Sequence, residues 1–152
     1  KVEVTESAVM DFPDAVSPIL QEIRDAGVRI LLDDFGTGTS SLARLVDFPI
    51  HGLKIDRLFV QQMDRLPRFG AVVETVARLG AHLGLGVVAE GVETPEQCRA
   101  MARIGCEFLQ GYALSRPLPP AKVAALLAMS SPPWVDALGP AEKPAPRTAR
   151  PE

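Results

Sequence analysis

Short apolar runs and longer amphipathic stretches alternate along this chain, and that alternation predicts repeated βα units. The strand-like runs are Lys1 to Thr5, Val28 to Asp33, Gly52 to Ile55, Gly86 to Ala89 and Glu107 to Gln110. Helical spacing covers Pro13 to Asp25, Ser41 to Val46, Arg68 to Leu83, Thr94 to Ile104 and, after the last strand, Pro119 to Met129. Boundary chemistry supports the reading. Thr94-Pro95-Glu96-Gln97 reads as a cap, a proline at the first helical position and a Gln three residues after the cap, and Gly105 stands where a helix-ending glycine belongs. From Ser130 the pattern stops: the last 23 residues hold six prolines and few apolar side chains, the composition of a disordered tail.

Each predicted strand ends in a chemically capable residue: Glu3 with Glu6 just beyond, Asp33 with Asp34, Lys54 with Asp56, Glu90 with Glu93, and Gln110. Functional groups at the carboxyl ends of successive strands point to the catalytic face of a (β/α)8 barrel. The expected fold class is therefore α/β, an incomplete TIM-like (β/α)8 barrel of about five carboxyl-terminal βα units. Residues 1–129 would form this partial domain, and 130–152 a Pro- and Ala-rich tail. Barrels of this kind need about 250 residues, so about 100 are expected outside this sequence. A start at Lys1, without methionine, agrees with a piece of something longer.

Composition narrows the function classes. A hydrophobic content of 47%, with 23% charged residues, is that of a globular protein. The net charge of -3 argues against attraction to a nucleic acid polymer or an anionic membrane surface, unless a bound metal supplies positive charge. No apolar run reaches the roughly 20 residues of a membrane span, no signal-peptide pattern opens the chain, and a cytoplasmic location is expected. Cys98 and Cys106 lack the spacing of a zinc or redox pair and read as reduced thiols. His51 and His82 have no partners at ligand spacing and read as surface residues, and Trp134 as a loosely packed or solvated side chain.

Glu3, Asp33, Asp34 and Asp56 bring four carboxylates from three consecutive strands. Such a cluster suits two divalent ions about 3.5 to 4 Å apart, an arrangement fitted to phosphodiester hydrolysis. Lys54 is the candidate for orienting water or neutralising developing charge. Strand alternation points Asp33 and Asp34 in opposite directions, so both reach one site only if the backbone leaves regular strand geometry near Asp34. Gly36 and Gly38 make that departure inexpensive.

The segments Glu3-Val4-Thr5-Glu6, Asp33-Asp34-Phe35-Gly36-Thr37-Gly38 with Ser40-Ser41-Leu42, Leu53-Lys54-Ile55-Asp56, Val88-Ala89-Glu90-Gly91-Val92-Glu93 and Leu109-Gln110-Gly111-Tyr112 together resemble the carboxyl-terminal part of an EAL domain, the bacterial cyclic di-GMP phosphodiesterase family. The resemblance spans roughly Lys1 to Leu127. It implies Mg2+- or Mn2+-dependent hydrolysis of cyclic di-GMP to linear pGpG. Glu3 and Asp33 would bind one metal, Asp34 and Asp56 the other. Lys54 would position or activate water, Glu90 would support the metal arrangement and Gln110 would lie near the water or ligand. Glu6, with Gly36 and Gly38, would fix the loop after Asp34, and Glu93 would lie near the guanine or shape its loop. A homodimer through that loop, and upstream sensory or GGDEF-type domains, are further implications. The family's Glu-Ala-Leu glutamate and an asparagine ligand would lie upstream of Lys1, so these 152 residues alone are expected to be poorly active. Thr39 stands where the family usually has an aromatic residue.

Four other readings compete. One is a receptor that binds cyclic di-GMP without cleaving it; another is an inactive fragment. A third uses Lys54 as a Schiff-base nucleophile, which the surrounding carboxylates oppose by stabilising the ammonium. A dinucleotide-binding loop at Gly36-Thr37-Gly38 is disfavoured, because Ser41 stands where the third glycine belongs and the aspartates would repel a pyrophosphate.

Overall fold

The computed structural model describes residues 1–38, 45–132, 134 and 135. Its centre is a parallel sheet in the order β1-β2-β3-β4-β5, built from β1 (Val2–Thr5), β2 (Ile30–Phe35), β3 (Gly52–Ile55), β4 (Gly86–Glu90) and β5 (Phe108–Gln110). The helices are α1 (Glu6–Asp11), α2 (Pro13–Asp25), α3 (Arg57–Gln62), α4 (Pro67–Leu83), α5 (Pro95–Ile104) and α6 (Pro120–Leu127). The sheet curls enough to bring its two outer strands within side-chain reach, with Lys1 Nζ lying 5.6 Å from the centre of the Phe108 ring. A curled parallel sheet with its helices outside is the incomplete barrel expected from the sequence.

Burial explains which strand is central. All four residues of β3 are buried, whereas most of β1 and β5 is exposed. Over β3 and β4 the sheet is covered by α4, whose Val73 and Val76 are buried in one core with Ile55, Val87 and Ala89. Each such valine contributes about 1.5 to 3 kcal/mol. Gly80 sets the approach of α4 to the sheet, since a β-carbon there would run into Val87 Cγ2.

The structure adds two helices that hydrophobic spacing does not reveal. Thr5 caps α1, its hydroxyl accepting from the Ala8 N–H at 3.4 Å, and Asp56 caps α3, its carboxylate accepting from the Leu58 N–H at 2.8 Å. At six residues each, these helices are too short for a clear apolar stripe. β2 also continues through Phe35, past the expected end at Asp33. The expected helix at 41–46 lies outside the described residues except for Leu45 and Val46, as does the 130–152 tail except for 130–132, Trp134 and Val135.

His51 is corrected from a surface residue to a structural one. Half-buried, it accepts the Ile30 N–H at Nδ1 (3.1 Å), its own N–H donates to the Ile30 carbonyl, and its carbonyl accepts from Gly86 N–H. It thus joins the starts of β2, β3 and β4. His82 is exposed, Trp134 is half-buried, and Cys98 and Cys106 are free thiols. Among the described residues no helix is long and apolar enough to cross a membrane.

Candidate metal and phosphodiester site

The carboxyl ends of β1 to β4 converge on Lys54. Its side chain is only 4% exposed, and Nζ lies 2.7 Å from Glu3 Oε2, 2.9 Å from Asp33 Oδ1 and 2.6 Å from Glu90 Oε1. Burial alone would lower the pKa of this amine. Hydrogen bonds to Glu3, Glu90 and Asp33 outweigh that effect and hold it above the ordinary lysine range.

Asp34 reaches the same cluster through the backbone departure anticipated from alternation. Its φ is +55°, a left-handed conformation that aspartate tolerates better than most residues, and the β2–β3 register shifts between Leu32 and Phe35. The turn is closed by the Thr37 hydroxyl, which donates to the Asp34 carbonyl at 2.8 Å, and by the Asp34 N–H, which donates to Asp33 Oδ1 at 3.0 Å. Partial desolvation, the charges of Asp33 and Asp56 and a hydrogen bond with Asp56 raise the Asp34 pKa, while Lys54 pulls it the other way. Asp56 therefore serves two elements, the acid cluster and the start of α3.

Oxygens of Asp33, Asp34 and Glu90 lie within 4.8 Å of one another, a spacing that a divalent cation could bridge. The donor set fits a hard cation: carboxylates only, one of them with a pKa raised by desolvation and by its acidic neighbours, beside the Lys54 ammonium. Glu3 joins the cluster through Lys54, and Asp56 through Asp34.

Glu6 stands behind the β2 turn. It is buried, and its Oε2 accepts the Gly36 N–H at 2.8 Å. Gly38 packs so closely that a β-carbon there would lie 2.6 Å from Glu6 Oε1. Gln110 and Glu93 lie on β5 and on the loop after β4. Gln110 pairs with Glu90 across the β4–β5 ladder with its side chain exposed, and its carbonyl accepts from Val92 N–H. Glu93 Oε1 accepts from Gln61 Nε2 at 3.0 Å.

The EAL domain model matches residues 1–117. The chain belongs to the EAL domain family. It is 44% identical over 119 residues to the cyclic di-GMP phosphodiesterase NbdA of Pseudomonas aeruginosa, covering 78% of this chain and 15% of that relative. The solved complex of the PaMucR phosphodiesterase with c-di-GMP superposes with a TM-score of 0.77 at 45% identity, over 80% of this EAL chain and 49% of the other. The Klebsiella pneumoniae BlrP1 complex with manganese and cyclic di-GMP gives 0.70 at 37% identity, over 76% and 29%. This chain thus spans only a minor part of NbdA and about half of the PaMucR chain.

Sequence reasoning overlooks the side chains that hold this EAL site's β4 loop. It finds Gln97 only as a helix cap, and Gln61 and Asp64 not at all. The capping pattern is the available signal, but it does not reveal the reach of the Gln97 amide across to Asp64.

Proposed function

We propose that this chain carries most of the catalytic face of a cyclic di-GMP phosphodiesterase, which in the complete domain hydrolyses the cyclic dinucleotide to linear pGpG. The observation that carries the proposal is the convergence of Glu3, Asp33 and Glu90 on the buried Lys54 ammonium, with Asp34 and Asp56 adjoining. Family membership and the names of its relatives support the same reading.

Glu3, Asp33, Asp34 and Asp56 would hold Mg2+ or Mn2+, with Glu90 supporting them. Bound there, such ions supply Lewis acidity toward the phosphate and a more acidic water. Lys54, kept charged by its partners, donates hydrogen bonds from Nζ and orients an oxygen; it does not take a proton. The same charge opposes its use as a Schiff-base nucleophile. Glu6 holds the Gly36 turn and so the backbone that aims Asp34. Gln110 and Glu93 flank the site on the side of β4 and β5, where they would meet ligand. We assign residues 1–129 to this domain and propose a homodimer in the complete protein.

The test is to incubate the full natural polypeptide with Mg2+ or Mn2+ and cyclic di-GMP, and to separate products chromatographically. Linear pGpG is expected. Retained binding without product would replace the enzyme with a non-catalytic receptor.

A further inference from the structure

The loop after β4, which carries Glu90 at one end and Glu93 at the other, has little regular structure between Glu90 and Thr94. Besides the Val92 N–H bond to the Gln110 carbonyl, it is held by the side-chain amide of Gln97. Gln97 is 5% exposed, and its Oε1 accepts two backbone N–H groups, from Glu93 at 2.8 Å and Thr94 at 3.3 Å. The second of these completes an ordinary capping box with the Gln97 N–H and Thr94 Oγ1. The other end of the amide goes elsewhere: Nε2 donates to Asp64 Oδ2 at 3.3 Å, in the segment between α3 and α4. Gln61, on α3, donates to Glu93. Since α3 is capped by Asp56, one residue beyond β3, these contacts tie the Glu90–Glu93 loop to the element that follows Lys54 and Asp56.

A helix cap needs only the acceptor, so the link to Asp64 is surplus to capping. We infer that Gln97 is a positioning residue for the reaction proposed above: its amide bridges the β4 loop and Asp64, and so fixes Glu93, and the loop that leads to it from Glu90, relative to the α3 side of the site. The inference rests on the phosphodiesterase reading. The side-chain contacts of Gln97 are with Glu93, Thr94 and Asp64, so its action runs through the loop.

Donor and acceptor can be exchanged across this bridge. Q97E keeps an oxygen for the two N–H groups but sets a second carboxylate against Asp64. D64N alone leaves an oxygen able to accept from Gln97. Q97E combined with D64N restores the hydrogen bond in the opposite sense, with the new amide at position 64 donating to the new carboxylate at position 97.

The experiment uses the full natural polypeptide with Mn2+ and cyclic di-GMP, reading kcat, KM and thermal midpoint for wild type, Q97E, D64N and the double variant. A V73A variant, altered in the α4 core away from the loop, serves as the stability control. Inactive wild type would overturn the phosphodiesterase reading itself. With active wild type, Q97E should lower kcat by about 10- to 100-fold, the range for loss of a group that orients a site residue. D64N should stay within about 3-fold, and the double variant should regain most of the loss through the coupling of the pair. Failure of D64N to rescue Q97E would overturn the inference, as would a kcat loss in V73A equal to that in Q97E at a matched thermal midpoint.

Discussion

Lys54 Nζ approaches Glu90 Oε1 to 2.6 Å, the shortest of its three contacts with carboxylates contributed by β4, β1 and β2. Removing the ammonium leaves those acids facing one another. K54M should destabilise the protein in chelator by about 1 to 3 kcal/mol, less than a fully buried pair because water reaches the acids. Raised above its ordinary value of 10.5, Lys54 contributes stability in full below that pH and loses it only as pH climbs through the higher folded value. The K54M deficit should therefore stay constant across the neutral range in thermal unfolding. A deficit that changes there would contradict the assignment.

Asp34 has the opposite effect on stability. Its pKa is raised above 3.8, so its favourable contribution exists below that pH and is lost as pH rises through the folded value. In chelator D34N should raise the thermal midpoint at neutral pH, and the gain should vanish below the ordinary aspartate value. A D34N variant no more stable than wild type at neutral pH would count against the crowding.

Adding Mn2+ should raise the thermal midpoint, with about 2.7 kcal/mol of stabilisation when the ion reaches 100 times its dissociation constant. D33N, D34N and E90Q should each diminish that shift in the full natural polypeptide. Undiminished shifts in all three variants would move the ion elsewhere.

Glu6 and Gly38 should show non-additive behaviour. G38A forces a methyl against Glu6 Oε1 and should cost about 1 to 3 kcal/mol. E6A leaves the Gly36 N–H without that oxygen and should cost a similar amount, about 1 to 3 kcal/mol. Because E6A also removes the obstruction, the double variant should lose less than the two costs together. Strict additivity in chemical denaturation would mean that the two residues do not share the space.

The barrel is legible because apolar runs are separated by helical spacing, and because each run ends in a functional residue. The departure at Asp34 is legible for a different reason: alternation forbids two adjacent aspartates from sharing a site on a regular strand, and the φ of +55° resolves the conflict. α1 and α3 are not legible. Thr5 and Asp56, which cap them, lie in segments whose residues also carry chemistry, and one residue can serve both ends. The Lys54 contacts are only partly legible, since Glu3 lies 51 positions away and meets it through sheet register. The role of His51 is hidden because a lone histidine without ligand spacing gives no sign that its ring will accept a strand N–H.

The ammonium held by Glu3, Asp33 and Glu90 is part of β3, so the acids acquire an internal counter-ion as soon as the strands assemble. Many metal sites form only when the ion arrives, and there chelation and unfolding are the same event. Here the order of events can be reversed, with the polypeptide completing its tertiary structure first and taking up ions later. Withdrawal of an ion bound there would then leave the strands assembled rather than return them to the unfolded chain.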